Sequence, residues 1–250
     1  PYGWREIDIA AVVALLIVGQ KVTIKYAGST VQPNNPKLPD MLRKKSEIGK
    51  TQISKRQVVS ATRMKAVKDF LRDYFNLMDV PADEDGLIQF IIDKFEDLQK
   101  HYEDLLAKYE GHKYPDRNVV SNALQIIKDV LSQQKDNVAL IERVLQREDN
   151  LYDAQDAMQS VEAFFKTQIS VFDTAVKFEQ DLRNDLDYIK KDEEANQALN
   201  TIRLITMIPS NGKYDYRRIP ELNTLMAKVK ASHDAMLEEK RTELLEVVRQ

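Results

Sequence analysis

The sequence contains no cysteine, which removes disulfide frameworks, thiolate metal sites and thiol nucleophiles together. Glycine occurs 7 times and proline 8 times in 250 residues, below the average usage of about 7% and 5%. Turns are therefore few, and long helices are favoured over many short strands. No apolar run reaches the roughly 20 residues that span a bilayer. The longest, Ile9–Val18, has ten, and the acidic Glu6 and Asp8 precede it where an export signal wants positive charge. That run is expected to be a buried helix, and a chain with neither signal nor cysteine is expected in the cytoplasm, with no membrane partner. The three histidines, His101, His112 and His233, have no second ligand at helical spacing. Exposed histidines and no metal site are expected. The acidic clusters Asp83–Asp85 and Asp192–Glu194 stand where helix starts favour negative charge. Carboxylate pairs are too numerous to single out a general acid and base, and no serine or threonine stands out as an activated nucleophile. No catalytic residue is assigned.

What is present is material for a core and for helices: 43% hydrophobic and 31% charged residues in a chain long enough to bury at least one sizeable core. The net charge of -3 hides an uneven distribution. Residues 1–75 hold fourteen Lys+Arg against six Asp+Glu, and the rest holds 23 against 34, an asymmetry expected of two modules, the first drawn to polyanions. In the first, Asp8 is expected to cap a helix that ends at Gly19. Lys21–Tyr26 alternates as a half-buried strand. Residues 28–40, with Gly28, Pro33, Asn34, Asn35, Pro36 and Pro39, are expected to hold no regular structure. A second strand is expected over Thr51–Val58. This order resembles the end of a winged-helix unit.

From Ser60 a 3.6-residue period takes over. Met64, Val67, Leu71, Tyr74 and Phe75 form one stripe, and Leu87, Ile91, Phe95, Leu98, Tyr102, Leu105 and Tyr109 form the next. Further helices carry Val120, Leu124, Ile127 and Leu131, then Val138, Ile141 and Leu145. Over Leu151–Ile189 a heptad places Leu151, Met158, Phe165, Phe172, Glu179 and Leu186 at one seam position. Ala154, Val161, Gln168, Ala175, Leu182 and Ile189 take the other, as in an antiparallel hairpin or coiled coil. A Tyr- and Arg-rich loop over Ser210–Arg218 precedes a last helix from Pro220. The expected fold is mostly α: a basic winged-helix-like α/β module over residues 1–60, then a helical domain over 61–250 with long antiparallel helices.

One concentration of charge is a functional candidate: Arg43, Lys44, Lys45, Lys50, Lys55, Arg56, Arg63 and Lys65, continued by Lys68 and Arg72 and interrupted only by Glu47 and Asp69. Such a set can contact several phosphates of duplex DNA. It can equally be a solvated basic surface or an electrostatic contact to acidic helices. Within it, Gly49-Lys50-Thr51 resembles the end of a phosphate-binding loop. That loop needs a glycine five positions before Gly49 so that the backbone can curl around phosphate, and Lys44 occupies the place. A turn in a basic surface is the alternative, and a nucleotide hydrolase using Lys50 and Thr51 fails this requirement.

Four segments carry a family resemblance: PYGWREIDIA at 1–10, LPDMLRKKSE at Leu38–Glu47, DVPADEDGL at Asp79–Leu87 and KYPD at Lys113–Asp116. They resemble the C-terminal part of the BrxC family of BREX bacteriophage-exclusion systems, related to PglY. Its members resemble AAA-type ATPases of the origin-recognition kind, in which a winged-helix region follows the ATPase core. The resemblance implies a cytoplasmic phage-defence component whose ATP and Mg site lies upstream, leaving no cofactor and no catalytic residue here. Other BREX proteins, duplex DNA and a second copy of the chain are then the expected partners. A chain opening on Pro1 and ending at Gln250 within a helical pattern is expected to be a piece of a longer protein. The alternative is a structural helical module for oligomerisation or docking that binds no nucleic acid.

Overall fold

The computed structural model describes residues 3, 5–19, 21–209 and 213–248. Ser210, Asn211 and Gly212 of the Tyr- and Arg-rich loop therefore lie outside the described residues, as do the last two residues of the C-terminal helical pattern. The chain divides into two units, the first comprising residues 1–105 and 121–154 and the second 106–120 and 155–250.

The first unit opens with helix α1 (Glu6–Val18), strands β1 (Val22–Tyr26) and β2 (Ser29–Val31), short helices α2 (Leu38–Arg43) and α3 (Lys45–Ile48), and strand β3 (Thr51–Lys55). The sheet has the order β2-β1-β3 and both pairings are antiparallel. Ile24 stands opposite both Val31 and Ile53. Ala27 and Gly28, with φ of 48° and 83°, make the two-residue hairpin turn whose positive φ values suit the right-handed twist of the strands. Ile17, Ile24 and Leu38 are buried together, with Val13, Val22, Val31 and Leu42 packed around them.

Three expectations for this region change. Residues 28–40 do hold regular structure, because β2 follows the hairpin turn directly and Pro39 is tolerated in the first turn of α2. Asp8 is not the cap of α1. It lies inside the first turn and pairs with Arg5 at 3.0 Å. The apolar run is helical as expected but is buried only along one side. Val13 and Ile17 face a sheet too small to cover a second side, while Ile7, Leu15 and Val18 are 68%, 73% and 80% exposed.

Helices α4 (Ala61–Tyr74), α5 (Glu84–Ala107), α6 (Arg117–Leu131), α7 (Asn137–Gln146) and α8 (Glu148–Ala163) follow. Ser60 caps α4 by accepting a hydrogen bond from the Arg63 amide at 3.3 Å, and the Asp83 carboxylate accepts from the Gly86 amide at 2.7 Å at the head of α5. In the first unit α4 packs on α7. Val67, Phe70, Leu71, Leu87, Ile88, Ile91, Phe95, Leu140, Ile141 and Val144 fill that core, with Tyr74 stacked 6.4 Å from Phe95.

In the second unit, Phe164–Gln168 forms a π-helical turn between α8 and α9 (Ile169–Asp181). The coiled-coil seam is therefore not continuous. Phe164 rather than Phe165 is fully buried, and Phe172 is buried eight residues later. Helices α10 (Leu186–Ile189), α11 (Glu193–Thr206) and α12 (Glu221–Val248) complete the chain, with α9, α11 and α12 packed on one another. Tyr214 is buried within the aromatic cluster of this unit, 4.9 Å from the Tyr216 ring and 6.3 Å from that of Phe172. His101 and His112 are exposed as expected. His233 is not: its ring lies 3.1 Å from Asp185 and is only 16% exposed, because the α12 face that carries it packs on α10.

Candidate functional site

The basic set separates into cations already neutralised by the fold and cations that are not. Arg56 belongs to the first kind. It follows β3, and its Nη2 lies 2.8 Å from Glu84 and 2.9 Å from Asp85 at the head of α5, with the side chain 9% exposed. Burial works against the charge of Arg56, but its hydrogen bonds to Asp85 and Glu84 outweigh this and raise its pKa. Asn137 donates to both of those carboxylates, at 3.2 and 3.4 Å. Arg63 pairs with Glu142 at 3.1 Å. Lys68 donates to the Ala82 carbonyl and Arg72 pairs with Asp69.

Lys44 and Lys50 are exposed but each has a carboxylate partner on the short helix that precedes it. Lys44 lies 2.9 Å from Asp40, whose hydrogen bond raises the lysine pKa. Lys50 lies 3.4 Å from Glu47, whose attraction does the same. Glu47 also accepts a hydrogen bond from the Tyr26 hydroxyl, which holds its carboxyl below the usual range. Gly49 and Lys50 form the turn from α3 into β3. A strand follows Thr51 where a phosphate-binding loop would have a helix, and the Thr51 hydroxyl donates to the carbonyls of Met41 and Glu47.

Arg43, Lys45, Lys55 and Lys65 are exposed and make no ion pair among the described residues. Arg43 and Lys45 flank the α2–α3 junction, Lys55 ends β3 and Lys65 stands on the first turns of α4. Lys50 and Lys55 bracket β3, roughly 16 Å apart at the rise of a strand, a length of about five base-pair rises along the axis of a DNA duplex. A polar hollow of about 170 Å³ lies beside Lys55, lined also by Thr23, Ser54 and Asn137. Its floor is held by Lys25, 3.0 Å from Asp136, and by the Thr30 hydroxyl donating to the Lys135 carbonyl.

Sequence reading did not find the partners of Arg56, since Glu84 and Asp85 already satisfy the head of a helix. It also did not find that α1 borders two open hollows. One, of about 350 Å³, lies between α1 and the Pro33–Leu42 segment; the other, of about 900 Å³, lies toward Met41, Ile48 and Ile53. The signal was available, because α1 has no polar face over Ile9–Val18 and three short strands cover only one side of a helix.

Among the described residues no helix is long and apolar enough to cross a membrane. Residues 1–57 match the family model for the winged helix-turn-helix domain of the BREX ATP-binding protein BrxC, and residues 63–186 match that for the BrxC alpha helical domain. No solved structure matches the chain.

Proposed function

Since the chain belongs to the BrxC family of BREX ATP-binding proteins and is thereby a component of phage defence, we propose that it works by presenting surfaces to duplex DNA and to other BREX proteins. It has no reaction centre of its own in this reading. The ATP and Mg chemistry expected of the family belongs to another part of the protein, and the setting is cytoplasmic. The observation that carries the DNA reading is the set Arg43, Lys45, Lys55 and Lys65, four exposed cations without ion-pair partners among the described residues, with the paired Lys44 and Lys50 beside them. Arg56 and Arg63 support the fold and are left out of the interface.

The chemistry favours phosphate over bases. Helix α3 has four residues, about 6 Å of rise, too little to lay a series of side chains along a major groove. Lysine and arginine at helix ends and strand ends position a protein on a duplex without reading sequence. Binding is expected to be sequence-independent and steeply salt-dependent, with log K falling against log salt at a slope of about -4 to -5 for the cations engaged.

Fluorescence anisotropy of a labelled duplex, titrated with the chain between about 50 and 200 mM salt, tests this. Replacing Arg43, Lys45, Lys55 and Lys65 by Ala should remove most of the slope, and scrambling the duplex sequence should change little. No binding at about 50 mM salt would end the DNA half of the proposal. The second reading, a helical docking module without nucleic-acid binding, draws on the exposed apolar face of α1.

A further inference from the structure

The sheet of the first unit has two faces of opposite chemistry. Ile24 stands opposite Val31 and Ile53, and on this face Ile24 is buried with Ile17 and Leu38. Lys25 stands opposite Thr30 and Gln52, and Thr23 opposite Ser54. Successive residues of a strand point to opposite sides, so the second face is polar. It meets the helical part of the unit at two places. At the end of β3 the Arg56 amide donates to the Lys21 carbonyl at 3.0 Å, which ties the residue to the sheet, while its guanidinium holds Glu84 and Asp85 at the head of α5. Toward the β2 edge, up to two strand spacings or about 10 Å away, Lys25 lies 3.0 Å from Asp136 and the Thr30 hydroxyl donates to the Lys135 carbonyl. The polar hollow of about 170 Å³ touches both places, since Glu84, Thr30 and Asp136 line it together with Thr23 and Ser54.

The two places differ in strength. Arg56 is 9% exposed and holds two carboxylates, whereas Lys25 and Asp136 are 33% and 45% exposed. An exposed ion pair shifts an equilibrium by about fivefold or less and is screened by salt, and a buried one is screened far less. The chain from the sheet to α4 has no regular structure over residues 57–60, and Val58 there is 76% exposed. The two matched family models also part here, one ending at residue 57 and the other starting at residue 63. The core of Ile17, Ile24 and Leu38 is built from α1, β1 and α2, so it survives loss of contact with α7. We infer that the sheet pivots at Arg56 against the head of α5, and that Lys25 and Thr30 form a clasp on the α6–α7 turn that opens and closes while both parts stay folded. Opening uncovers the polar face of the sheet and frees the Lys25 ammonium and the Asp136 carboxylate. The motion is a hinge of the kind that short irregular segments between packed parts allow. It stands whether or not the chain binds DNA.

A chain without cysteine accepts two introduced thiols as the only sites for spin labels. With labels at Lys37→Cys and Lys100→Cys, exposed positions on either side of the hinge, double electron–electron resonance of the full chain reads the distance between the two parts, and circular dichroism confirms that each variant folds. Raising salt from about 50 mM to about 1 M should populate a second distance, because the clasp pair is exposed. Asp136→Asn removes the charge and keeps the cap of α7, whose Ala139 amide donates to Asp136 at 3.1 Å. It should raise the ratio of open to closed chains by up to about fivefold. Thr30→Val should act in the same direction with no change of charge. Lys25→Glu sets two carboxylates against each other and should open the clasp further, and adding Asp136→Asn to it should partly close it again, a reversal that only direct contact produces. A distance distribution that salt and all three variants leave unchanged would overturn the inference, and so would additive effects of Lys25→Glu and Asp136→Asn.

Discussion

Arg56 shows what one side chain can conceal in a basic sequence. It sits among ten cations in thirty residues, yet two carboxylates of α5 hold it and the side chain is 9% exposed. Removing one partner of a buried pair leaves uncompensated charge, so Arg56→Ala should cost about 3 to 5 kcal/mol. Urea unfolding would read this, and replacing Glu84 and Asp85 by Gln and Asn in the same chain should recover part of it. The sign of a charge is legible in sequence and its partner is not: Asp85 lies 29 positions from Arg56, and its place in the first turn of α5 already accounts for it. The phenols of the second unit give a pH prediction. Burial first, then the hydrogen bond to Asp173, pushes Tyr114 up to about 12, and burial followed by Asp215 does the same for Tyr214. A group whose folded pKa is raised stabilises the fold fully below its unfolded pKa of about 10. That contribution is lost as pH rises toward 12. Tyrosinate absorbance should therefore lag that of the chain in guanidinium, and the urea midpoint should fall over the same interval.

At the scale of elements, the helices from Ser60 onward could be read because their apolar residues recur at 3.6 and their ends carry caps. Val67, Leu71 and Tyr74 are buried on α4 and Leu87, Ile91 and Phe95 on α5, as that period requires. Short elements escaped: β2 is three residues, and α2 starts among prolines whose usual meaning is a loop. The burial of α1 was misjudged because an apolar run states an appetite for contact without naming the contact. The heptad over Leu151–Ile189 failed for another reason. A π turn widens the helix by a residue, and no local residue type announces it. The consequence is specific. Phe164 is fully buried and Phe165 only partly so, whereas the seam would have placed Phe165 inside. Phe164→Ala should cost about 3 to 5 kcal/mol, as for other buried phenylalanines, and Phe165→Ala distinctly less. Equal losses in urea unfolding would mean that the regular seam is right and the π turn wrong.

At the scale of the whole molecule, the net charge of -3 is divided unevenly: residues 1–75 hold fourteen Lys+Arg against six Asp+Glu, and the rest holds 23 against 34. A chain that is acidic as a whole gains nothing from its mean charge near a polyanion, so in the proposed function DNA binding must come from local phosphate contacts. Two kinds of replacement separate the contributions. Lys45→Ala and Lys55→Ala remove exposed cations that have no ion pair among the described residues, and each should lower the slope of log K against log salt by about 0.9. Lys44→Ala and Lys50→Ala remove cations that Asp40 and Glu47 already hold, and each should lower it distinctly less. Anisotropy titrations of a labelled duplex over about 50 to 200 mM salt read the slope. Equal changes at all four positions would mean that Asp40 and Glu47 release their lysines to the duplex.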